Sequence, residues 1–390
     1  MNSDSYQLKV ISSLSEIPPA QWNALLPNDA GPFLRYEFLH SLEECGCVGG
    51  NTGWQVAHLM ITSSHSAIIG AMPLYLKQHS YGEFVFDWSW AQAYEQAGMP
   101  YYPKALCAIP FTPVQGPRLL VAPGEDMGAI RKILVSALKS LVSQNDLSSA
   151  HILFPEPDTL KEMQDQGFML RDSVQFHWQN KGFENFEQFL FALTMKRRKN
   201  IRRERSLVAA ENLSYRHVPG KAATASDWSF FYRCYENTYL EHQSSPYLSE
   251  SFFQTLGRLM PEYLHLIIAS KNGLPIASSL LVVDQQSSKA YGRYWGAIEH
   301  IPCLHFEVAY YQAIEYCISE GITSFEGGAQ GEHKMARGFL PTTIQSAHWM
   351  ADAQFGTAVK RFLEREHEGM AAYVNELEER SPLKSTTVSP

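Results

Sequence analysis

The sequence predicts an α/β protein with mixed sheets, in which one unit of strands and helices occurs twice in tandem. A chain of 390 residues exceeds one typical core and indicates two domains of roughly 150–200 residues each. Hydrophobic residues make up 45% and charged residues 18% of the chain, which is ordinary for a globular protein with large cores. An internal repeat is the third observation.

The repeat joins two predicted hairpins that align without a gap at an offset of 207 residues, His58–Leu76 (HLMITSSHSAIIGAMPLYL) and His265–Val283 (HLIIASKNGLPIASSLLVV). Each has an apolar strand, a polar turn (Ser63–Ser66; Lys271–Gly273) and a second apolar strand. Because the two segments share this order, we interpret them as one structural unit used twice.

The elements that follow each hairpin also correspond. An aromatic strand is predicted first, FVFDWSWA in the first half and AYGRYWGA in the second. A helix is predicted next, over Gly128–Gln144 and over Phe306–Gly321, and a short strand follows each helix, AHILF and ITSFE. Five elements in the same order favour two domains of one fold.

The domains are expected at residues 1–179 and 212–356. Between them, residues 180–211 have apolar residues at helical spacing and predict a basic connecting helical segment. Residues 357–390 predict an amphipathic helix with a disordered end beyond Ser381.

Charge is distributed unevenly along the chain. The net charge is −8, yet the decapeptide KRRKNIRRER (Lys196–Arg205) carries seven basic residues and one acid. One concentrated basic segment favours a local anionic group over a long duplex, so we expect no DNA partner.

The sequence also predicts the compartment. The N-terminus has no signal-peptide pattern, no apolar run reaches the ~20 residues of a membrane-spanning helix, and the six cysteines form no disulfide framework. We expect a soluble, cytoplasmic protein without a membrane span.

The stretch ITSFEGGAQGEHKMARGF (Ile322–Phe339) combines an acid, glycines, a histidine and two cations. It lacks the spacings of a P-loop, a dinucleotide fingerprint and a zinc-binding H-E-x-x-H. A two-histidine, one-carboxylate metal site is conceivable from His305, His333 and either Glu307 or Glu326, but we do not favour a metal. The glycines instead allow a ligand to approach the backbone closely.

Several strings are typical of a known family. FVFDWSWAQAYE, YYPKAL, IPFTPVQGPRL, LHFEVAYYQAIEYC and FEGGAQGEHKMARGFLP resemble the FemAB-like proteins of the GNAT acyltransferase superfamily, over about residues 32–356. The resemblance implies two tandem GNAT-like domains and transfer of an acyl or aminoacyl group to an amine. It also implies a Lys/Arg pair beside a donor or acceptor phosphate, which matches Lys334 and Arg337.

Transfer to an amine needs a base, and three residues are candidates. Glu326 ends a predicted strand, where burial in a cleft would raise the pKa of its carboxyl. His333 titrates near working pH. Glu307 ranks third, because an acid in the first turn of a helix is favourable for dipole reasons alone. The resemblance implies that no acyl-enzyme intermediate forms, and the sequence contains no G-x-S-x-G motif.

Further residues are predicted to bind substrate. Asp87 interrupts a predicted aromatic strand and needs a partner or a substrate amine, while Trp88 and Tyr294 pack in the core or line the cleft. Lys334 and Arg337 share a face if a helix starts near Glu332. The expected tRNA contacts on the basic segment are Arg197, Arg198 and Arg202. The active cleft is expected between the second sheet and this basic helix.

The donor is left open between acyl-CoA and aminoacyl-tRNA, and no cofactor is firmly implied. Gly124 and Gly128 weakly echo a pyrophosphate-binding turn before a helix, but Glu125 and Asp126 would repel phosphate. The acceptor is expected to be a small-molecule or peptide amine. The alternative is a non-catalytic GNAT-scaffold protein that binds a phosphorylated cell-wall precursor or RNA.

Overall fold

The computed structural model describes residues 6–328 and 331–384. The chain forms two compact units: unit 1 comprises Met1–Ser173 and Thr343–Ala372, and unit 2 comprises Val174–Thr342 and Tyr373–Pro390. No helix among the described residues is both long and apolar enough to cross a membrane.

The strands in chain order are β1 (Gln7–Ile11), β2 (Trp54–Val56), β3 (His58–Thr62), β4 (Ile68–Met72), β5 (Leu74–Lys77), β6 (Lys104–Cys107), β7 (Leu120–Val121), β8 (Ser149–Leu153), β9 (Met169–Gln179), β10 (Leu213–Pro219), β11 (Leu264–Lys271), β12 (Leu274–Asp284), β13 (Lys289–Ala297), β14 (Ser324–Glu326) and β15 (Leu340–Met350).

The helices in chain order are α1 (Pro19–Asn23), α2 (Tyr36–Glu44), α3 (Trp88–Gln96), α4 (Met127–Gln144), α5 (Pro157–Asp165), α6 (Phe186–Ala192), α7 (Met195–Ala209), α8 (Ala225–Glu241), α9 (Glu250–Leu259), α10 (Leu304–Phe306), α11 (Gln312–Ser319) and α12 (Ala353–Glu379). A π-helical turn, Glu307–Tyr311, joins α10 to α11. Short 3₁₀ turns occupy Leu14–Glu16, Pro32–Leu34, Gly220–Ala222, Pro261–Tyr263 and Glu332–Arg337.

Unit 1 contains two groups of paired strands. Strands β1, β3, β4 and β7 form an antiparallel sheet in the order β1-β3-β4-β7. The second group has the order β15-β8-β6-β5-β2, in which β6 and β8 are parallel. Helix α4 packs its buried face, including Leu134 and Leu138, against side chains such as Leu59 and Ile152. Asp126 caps this helix by accepting a hydrogen bond from the Ala129 amide (3.0 Å).

Unit 2 has one run of strands in the order β10-β11-β12-β13-β14-β9. All neighbours are antiparallel except β13 and β14, which are parallel. The β11–β12 turn has positive φ at both Asn272 (53°) and Gly273 (80°), as a tight two-residue hairpin requires. Its core packs Phe325 of β14 together with Ile201 of α7 and Ile314 of α11.

The repeat predicted from the sequence is confirmed for most elements. Both hairpins form, both predicted helices follow, and each is succeeded by the short strand β8 or β14. In each unit that short strand pairs in parallel with an earlier strand, β6 or β13. One hairpin differs, because Pro73 divides its second strand into β4 and β5.

The aromatic strand predicted at FVFDWSWA is wrong. Trp88–Gln96 is helix α3, and Asp87 occupies the N-cap position before it. Trp90 and Tyr94 are four residues apart and are the buried side chains of α3, so this segment follows helical rather than strand periodicity. The strand that corresponds to β13 is β6, which begins 13 residues after Ala91.

The connecting segment and the tail are helical as predicted. The first contains two helices, α6 and α7, and the second is the single helix α12. Residues 343–372 belong to unit 1, whereas the sequence placed 343–356 in the second domain, because β15 pairs with β8. Residues 385–390 of the predicted disordered end lie outside the described residues.

Candidate functional site

The candidate site lies in unit 2, where strands β13 and β14 part. Their pairing ends with Tyr291 opposite Glu326, whereas β13 continues to Ala297 and remains paired with β12 on its other side. A pocket of about 110 Å³ opens here. Aromatic side chains and backbone contribute to its lining: Gly292, Tyr294, Trp295, His305, Tyr310, Phe325 and Gly327.

Two local irregularities shape this pocket. Leu280 is opposite Tyr294 and Leu281 is opposite Gly292, so Arg293 is the extra residue of a β-bulge. On the facing helix, the π-helical turn contains Tyr310, which lines the pocket. Bulges and π-turns both re-aim side chains and are frequent at functional sites.

Glu326 lies at the last residue of β14, as predicted. Phe325 and Gly327 line the pocket, and because neighbouring strand residues point to opposite faces, Glu326 is directed to the other face of the strand. Burial raises the pKa of its carboxyl to about 7, against the opposing effect of Lys289 and Arg293. The raised pKa expected for a carboxylate at this position is therefore found.

Lys334 lies in the 3₁₀ turn Glu332–Arg337 and is almost fully buried. Its ammonium group donates a hydrogen bond to the Gly328 carbonyl (2.9 Å). Burial, and then the charge of Arg293, lowers the pKa of Lys334 to about 7. A buried acid, Glu326, and a buried base, Lys334, thus both have a pKa close to neutral pH near the point where β13 and β14 part.

Arg337 shares the 3₁₀ turn with Lys334 but is directed to different partners. Its guanidinium lies 3.3 Å from the centre of the Phe306 ring and donates to Glu204 (2.8 Å) and to the His333 carbonyl (2.6 Å). Glu204 also accepts a hydrogen bond from Tyr311. These contacts hold Arg337 in an internal network, so the structure separates the pair that the resemblance put together.

His333 is exposed and lies on the pocket side. Its Nε2 is 3.2 Å from the Tyr310 hydroxyl. Partial burial and the charges of Lys334 and Arg337 lower the pKa of His333, which favours a neutral imidazole. His305 stacks on Trp295 with ring centres 4.7 Å apart, and burial is the main reason that its pKa falls to about 4.

Glu307 is held in a salt bridge. Arg205 approaches its two oxygens at 2.9 and 3.1 Å, and Gln312 donates to it at 2.8 Å. A carboxylate with these partners is buried and engaged, so we leave Glu307 out of the candidate site. Arg205 also binds Glu315 (2.6 Å), which ties the basic helix α7 to α11.

The candidate site does not lie in the cleft predicted between the second sheet and the basic helix. Helix α7 packs Ile201 and Val208 into the core of unit 2, and none of its residues lines the pocket described above. Arg198 lies close to carbonyls at the end of α6 (3.4–3.5 Å), and Arg202 pairs with Glu187 (2.6 Å). Arg197 is half-buried.

A different set of cations forms the exposed face of α7. Lys196, Lys199 and Arg203 are exposed, and their spacing of three and four residues places them on one side of the helix. The basic decapeptide predicted a cationic surface, but helical spacing and burial were needed to identify its members.

Asp87 and Trp88 lie in unit 1. Asp87 is buried and paired with Lys104, and it accepts a hydrogen bond from Tyr101 (2.6 Å). Lys104 also donates to Glu83 (2.8 Å). Burial favours a higher pKa for Asp87, but Lys104 and then His151 outweigh it and lower the pKa to about 2. The partner that Asp87 requires is therefore a lysine of the protein, while Trp88 is partly exposed against Tyr81.

The remaining predicted positions lie at the start of α4. Gly124 has φ of 89° in the preceding turn, and Gly128 is in the first turn of the helix. The Asp126 side chain occupies the helix N-terminus, and its charge opposes phosphate there. Sequence reasoning missed Lys289, Arg293 and Tyr310, whose proximity to Glu326 or to the pocket arises from strand register and the π-turn.

Comparison with known proteins identifies relatives of this fold. A family model named FemAB-like, described as peptidoglycan biosynthesis/recognition, matches residues 13–385. A comparison with curated protein sequences found no match.

Among solved structures, the chain is similar to the C-terminal domain of an Agrobacterium fabrum protein assigned as a lysylphosphatidylglycerol synthetase. Identity is 11%, coverage is 87% of this chain and 94% of that one, and the TM-score is 0.51. It is also similar to L-PGS from Bacillus licheniformis, with 9% identity, 89% and 97% coverage and a TM-score of 0.52. A tandem GNAT protein from the clavulanic acid pathway gives 12% identity, 89% and 99% coverage and a TM-score of 0.47. The predicted fold class is confirmed.

Proposed function

The chain belongs to the FemAB-like family, and from that premise we propose that it is an N-acyltransferase whose reaction takes place where β13 and β14 part. One observation carries the proposal: the strands separate immediately after a buried glutamate, Glu326, whose pKa is about 7. A general base is most effective when its pKa lies near the working pH.

The two reactants bind from opposite faces of the sheet at the point where β13 and β14 part. The donor's acyl or aminoacyl group occupies the small aromatic pocket. The acceptor amine approaches from the face that carries Glu326. Holding both reactants in this way supplies proximity, which is worth roughly 7–11 kcal/mol of the barrier.

The reaction then needs no acyl-enzyme. The amine nitrogen attacks the donor carbonyl carbon, a C–N bond forms, and the amine proton passes to the Glu326 carboxylate. Lys334 stabilises the negative charge that develops on the carbonyl oxygen. The leaving thiolate or ribose oxygen departs with the bonding electron pair and takes up a proton.

The test measures turnover with acetyl-CoA or bulk aminoacylated tRNA as donor and a panel of primary amines as acceptors. Glu326→Gln should lower kcat by about 10²–10⁴, because the substituted amide cannot accept the proton. Donor binding, followed as the thermal shift of the folded protein, should be retained. In the wild type, the dependence of kcat/KM on pH should be bell-shaped around pH 7, because Glu326 must be ionised and Lys334 protonated, and the pKa of each is about 7.

His333→Ala is the matched control, since His333 is the other candidate base. If His333→Ala abolishes turnover and Glu326→Gln does not, the base is the imidazole on the pocket side. If neither variant changes the rate of an active wild type, the reaction does not occur at this opening.

A second candidate function is favoured by the exposed face of α7. Lys196, Lys199 and Arg203 present three cations in a protein of net charge −8. A surface of this kind suits an RNA backbone, either as the carrier of an aminoacyl donor or as a ligand bound without catalysis.

A further inference from the structure

A groove of about 760 Å³ runs along one side of helix α4 in unit 1. One wall is the flank of α4 from Lys132 to Gln144, and the other is strand β1 at the edge of its sheet. The thirteen residues of this flank are separated by twelve helical rises of 1.5 Å and correspond to a length of ~18 Å. The groove therefore extends along α4 and is larger than the pocket of about 110 Å³ in unit 2.

The groove has an apolar interior. Strand β1 contributes Leu8 and Val10, which are 52% and 53% exposed. They pair with Ile61 and Leu59 of β3, and so lie on the face of the sheet against which α4 packs. The aliphatic lining is completed from β3 and α4 by Leu59, Ile133, Ala137 and Leu141. Exposed aliphatic surface concentrated in one place marks a binding site more often than scattered surface does.

The charge of the groove is positive. Lys132 of α4 lines one wall, whereas Lys9, between Leu8 and Val10 on β1, directs its side chain to the other face of the sheet. The described lining residues include no acidic and no aromatic side chain. In a protein of net charge −8, such a surface selects an anionic group. Without an aromatic ring, the lining offers no stacking surface to a base or a sugar, and it suits an unbranched aliphatic chain.

A second copy of the chain fits the groove less well. Two copies of the chain could form a continuous sheet by pairing their β1 strands antiparallel. A register centred on Lys9 would then place two lysines opposite each other. Like charges at directly opposed positions destabilise strand pairing, and a lysine in an edge strand is a common barrier to it.

We propose that the groove between α4 and β1 binds an amphipathic anion, namely a single aliphatic chain with a carboxylate or phosphate head. The chain lies along Ile133, Ala137 and Leu141, and the head is neutralised by Lys132. This site is in unit 1, and the inference does not depend on catalysis in unit 2.

The first experiment titrates the full-length protein with dodecanoate, dodecyl phosphate and dodecyltrimethylammonium below their micelle concentrations, using isothermal calorimetry. The two anions should bind and the cation should bind at least tenfold more weakly. A preference between the anions assigns the head group as carboxylate or phosphate. Among carboxylates, affinity should rise roughly fourfold per added CH₂ until the chain fills the groove.

Matched variants locate the site. Ser140 and Ser143 are both exposed serines of α4, but only Ser140 lines the groove. Ser140→Trp should weaken dodecanoate binding at least tenfold, whereas Ser143→Trp should leave it within twofold. Lys132→Glu should weaken it about fivefold, and Lys161→Glu, at an exposed position outside the groove, should not.

Three outcomes would overturn the proposal. They are the absence of binding by both anions, equal binding of the cationic amphiphile, and equal effects of the two tryptophan variants. Circular dichroism of each variant shows that a loss of binding is not a loss of fold.

Discussion

Glu326 and Lys334 are buried ionisable side chains of unit 2, and burial moves their pKa values in opposite directions. The pKa of the carboxyl rises to about 7 and that of the ammonium falls to about 7. Each shift means that the charged form is less stable in the folded protein than in the unfolded chain. Residues retained at such a cost are typical of functional sites.

The two shifts predict opposite dependences of stability on pH. The folded-state pKa of Glu326 is above the unfolded value of about 4.3, so its contribution is present below that value and is lost as pH rises through about 7. Glu326→Gln should therefore raise the free energy of unfolding by roughly 3 kcal/mol at pH 8 and by little at pH 4.5.

Lys334 gives the opposite sign. Its folded-state pKa is below the unfolded value of about 10.4, so its contribution is present above that value and is lost as pH falls through about 7. Lys334→Met should stabilise the protein by roughly 4–5 kcal/mol at pH 6 and by little at pH 10. Urea unfolding across this pH range measures both effects. Lys181→Met, at an exposed position, controls for the added methionine, and a pH-independent gain in either site variant would contradict the argument.

Sequence reasoning reached part of this chemistry. A strand-terminal acid before glycines predicted Glu326 and its raised pKa, because local pattern and expected burial are enough for that inference. Lys289 and Arg293 could not be found in this way, since their effect on Glu326 depends on the parallel register of β13 and β14 and on a bulge. Asp87 illustrates the same limit, because its partner Lys104 is on a strand beyond the intervening helix α3.

At the scale of elements, helix α7 has two different faces. Its inner face carries Ile201 and Val208 into the core and engages Arg205 with acids of the neighbouring helix segment. Its outer face presents the cations Lys196, Lys199 and Arg203. Only the outer face is available to an external polyanion.

This division predicts which charges matter for RNA. Replacing Lys196, Lys199 and Arg203 by glutamine should weaken binding of bulk tRNA and reduce the slope of log K against log salt by roughly two to three. Arg202→Gln is the matched control, because its guanidinium is already paired with Glu187, and it should change the slope by less than one unit. Filter binding from 50 to 200 mM salt measures these slopes.

The same measurement separates the candidate functions. If tRNA binds only when aminoacylated, it is a donor of the proposed transfer. If charged and uncharged tRNA bind alike and no amine is modified, RNA binding without catalysis is favoured. If the triple variant binds as the wild type does, the outer face of α7 has no role in RNA binding.

The order of most elements was predicted correctly from the sequence. The type of element was predicted wrongly for one segment, FVFDWSWA. The two hairpins, helices and short strands were recovered because each has a hydrophobic period of its own. FVFDWSWA failed because alternating aromatic and polar residues over eight positions satisfy both a strand and the start of a helix. The contacts of Trp90 and Tyr94 with Met350, Val359 and Leu363 decide for the helix, and local sequence does not contain them.

At the scale of the whole molecule, helix α12 contributes to two separate cores. Val359 and Leu363 pack with Trp90 and Tyr94 in unit 1. Leu377, fully buried near the other end of the same helix, packs in the core of unit 2. A sequence reading treats this helix as a tail, but its buried positions make it part of both units.

Shortening a buried leucine side chain near one end of α12 or near the other should therefore destabilise different units. Leu363→Ala and Leu377→Ala each remove a buried side chain and should cost roughly 2–5 kcal/mol. Native-state hydrogen exchange, read by mass spectrometry on peptides from α4 and β8 for unit 1 and from β11 and β12 for unit 2, localises the loss. Leu363→Ala should accelerate exchange in the first set and Leu377→Ala in the second. Leu259→Ala, at an exposed position, should change neither. Equal acceleration of both sets by either α12 variant would mean that the two cores open as one cooperative unit, and the assignment of separate cores would fail.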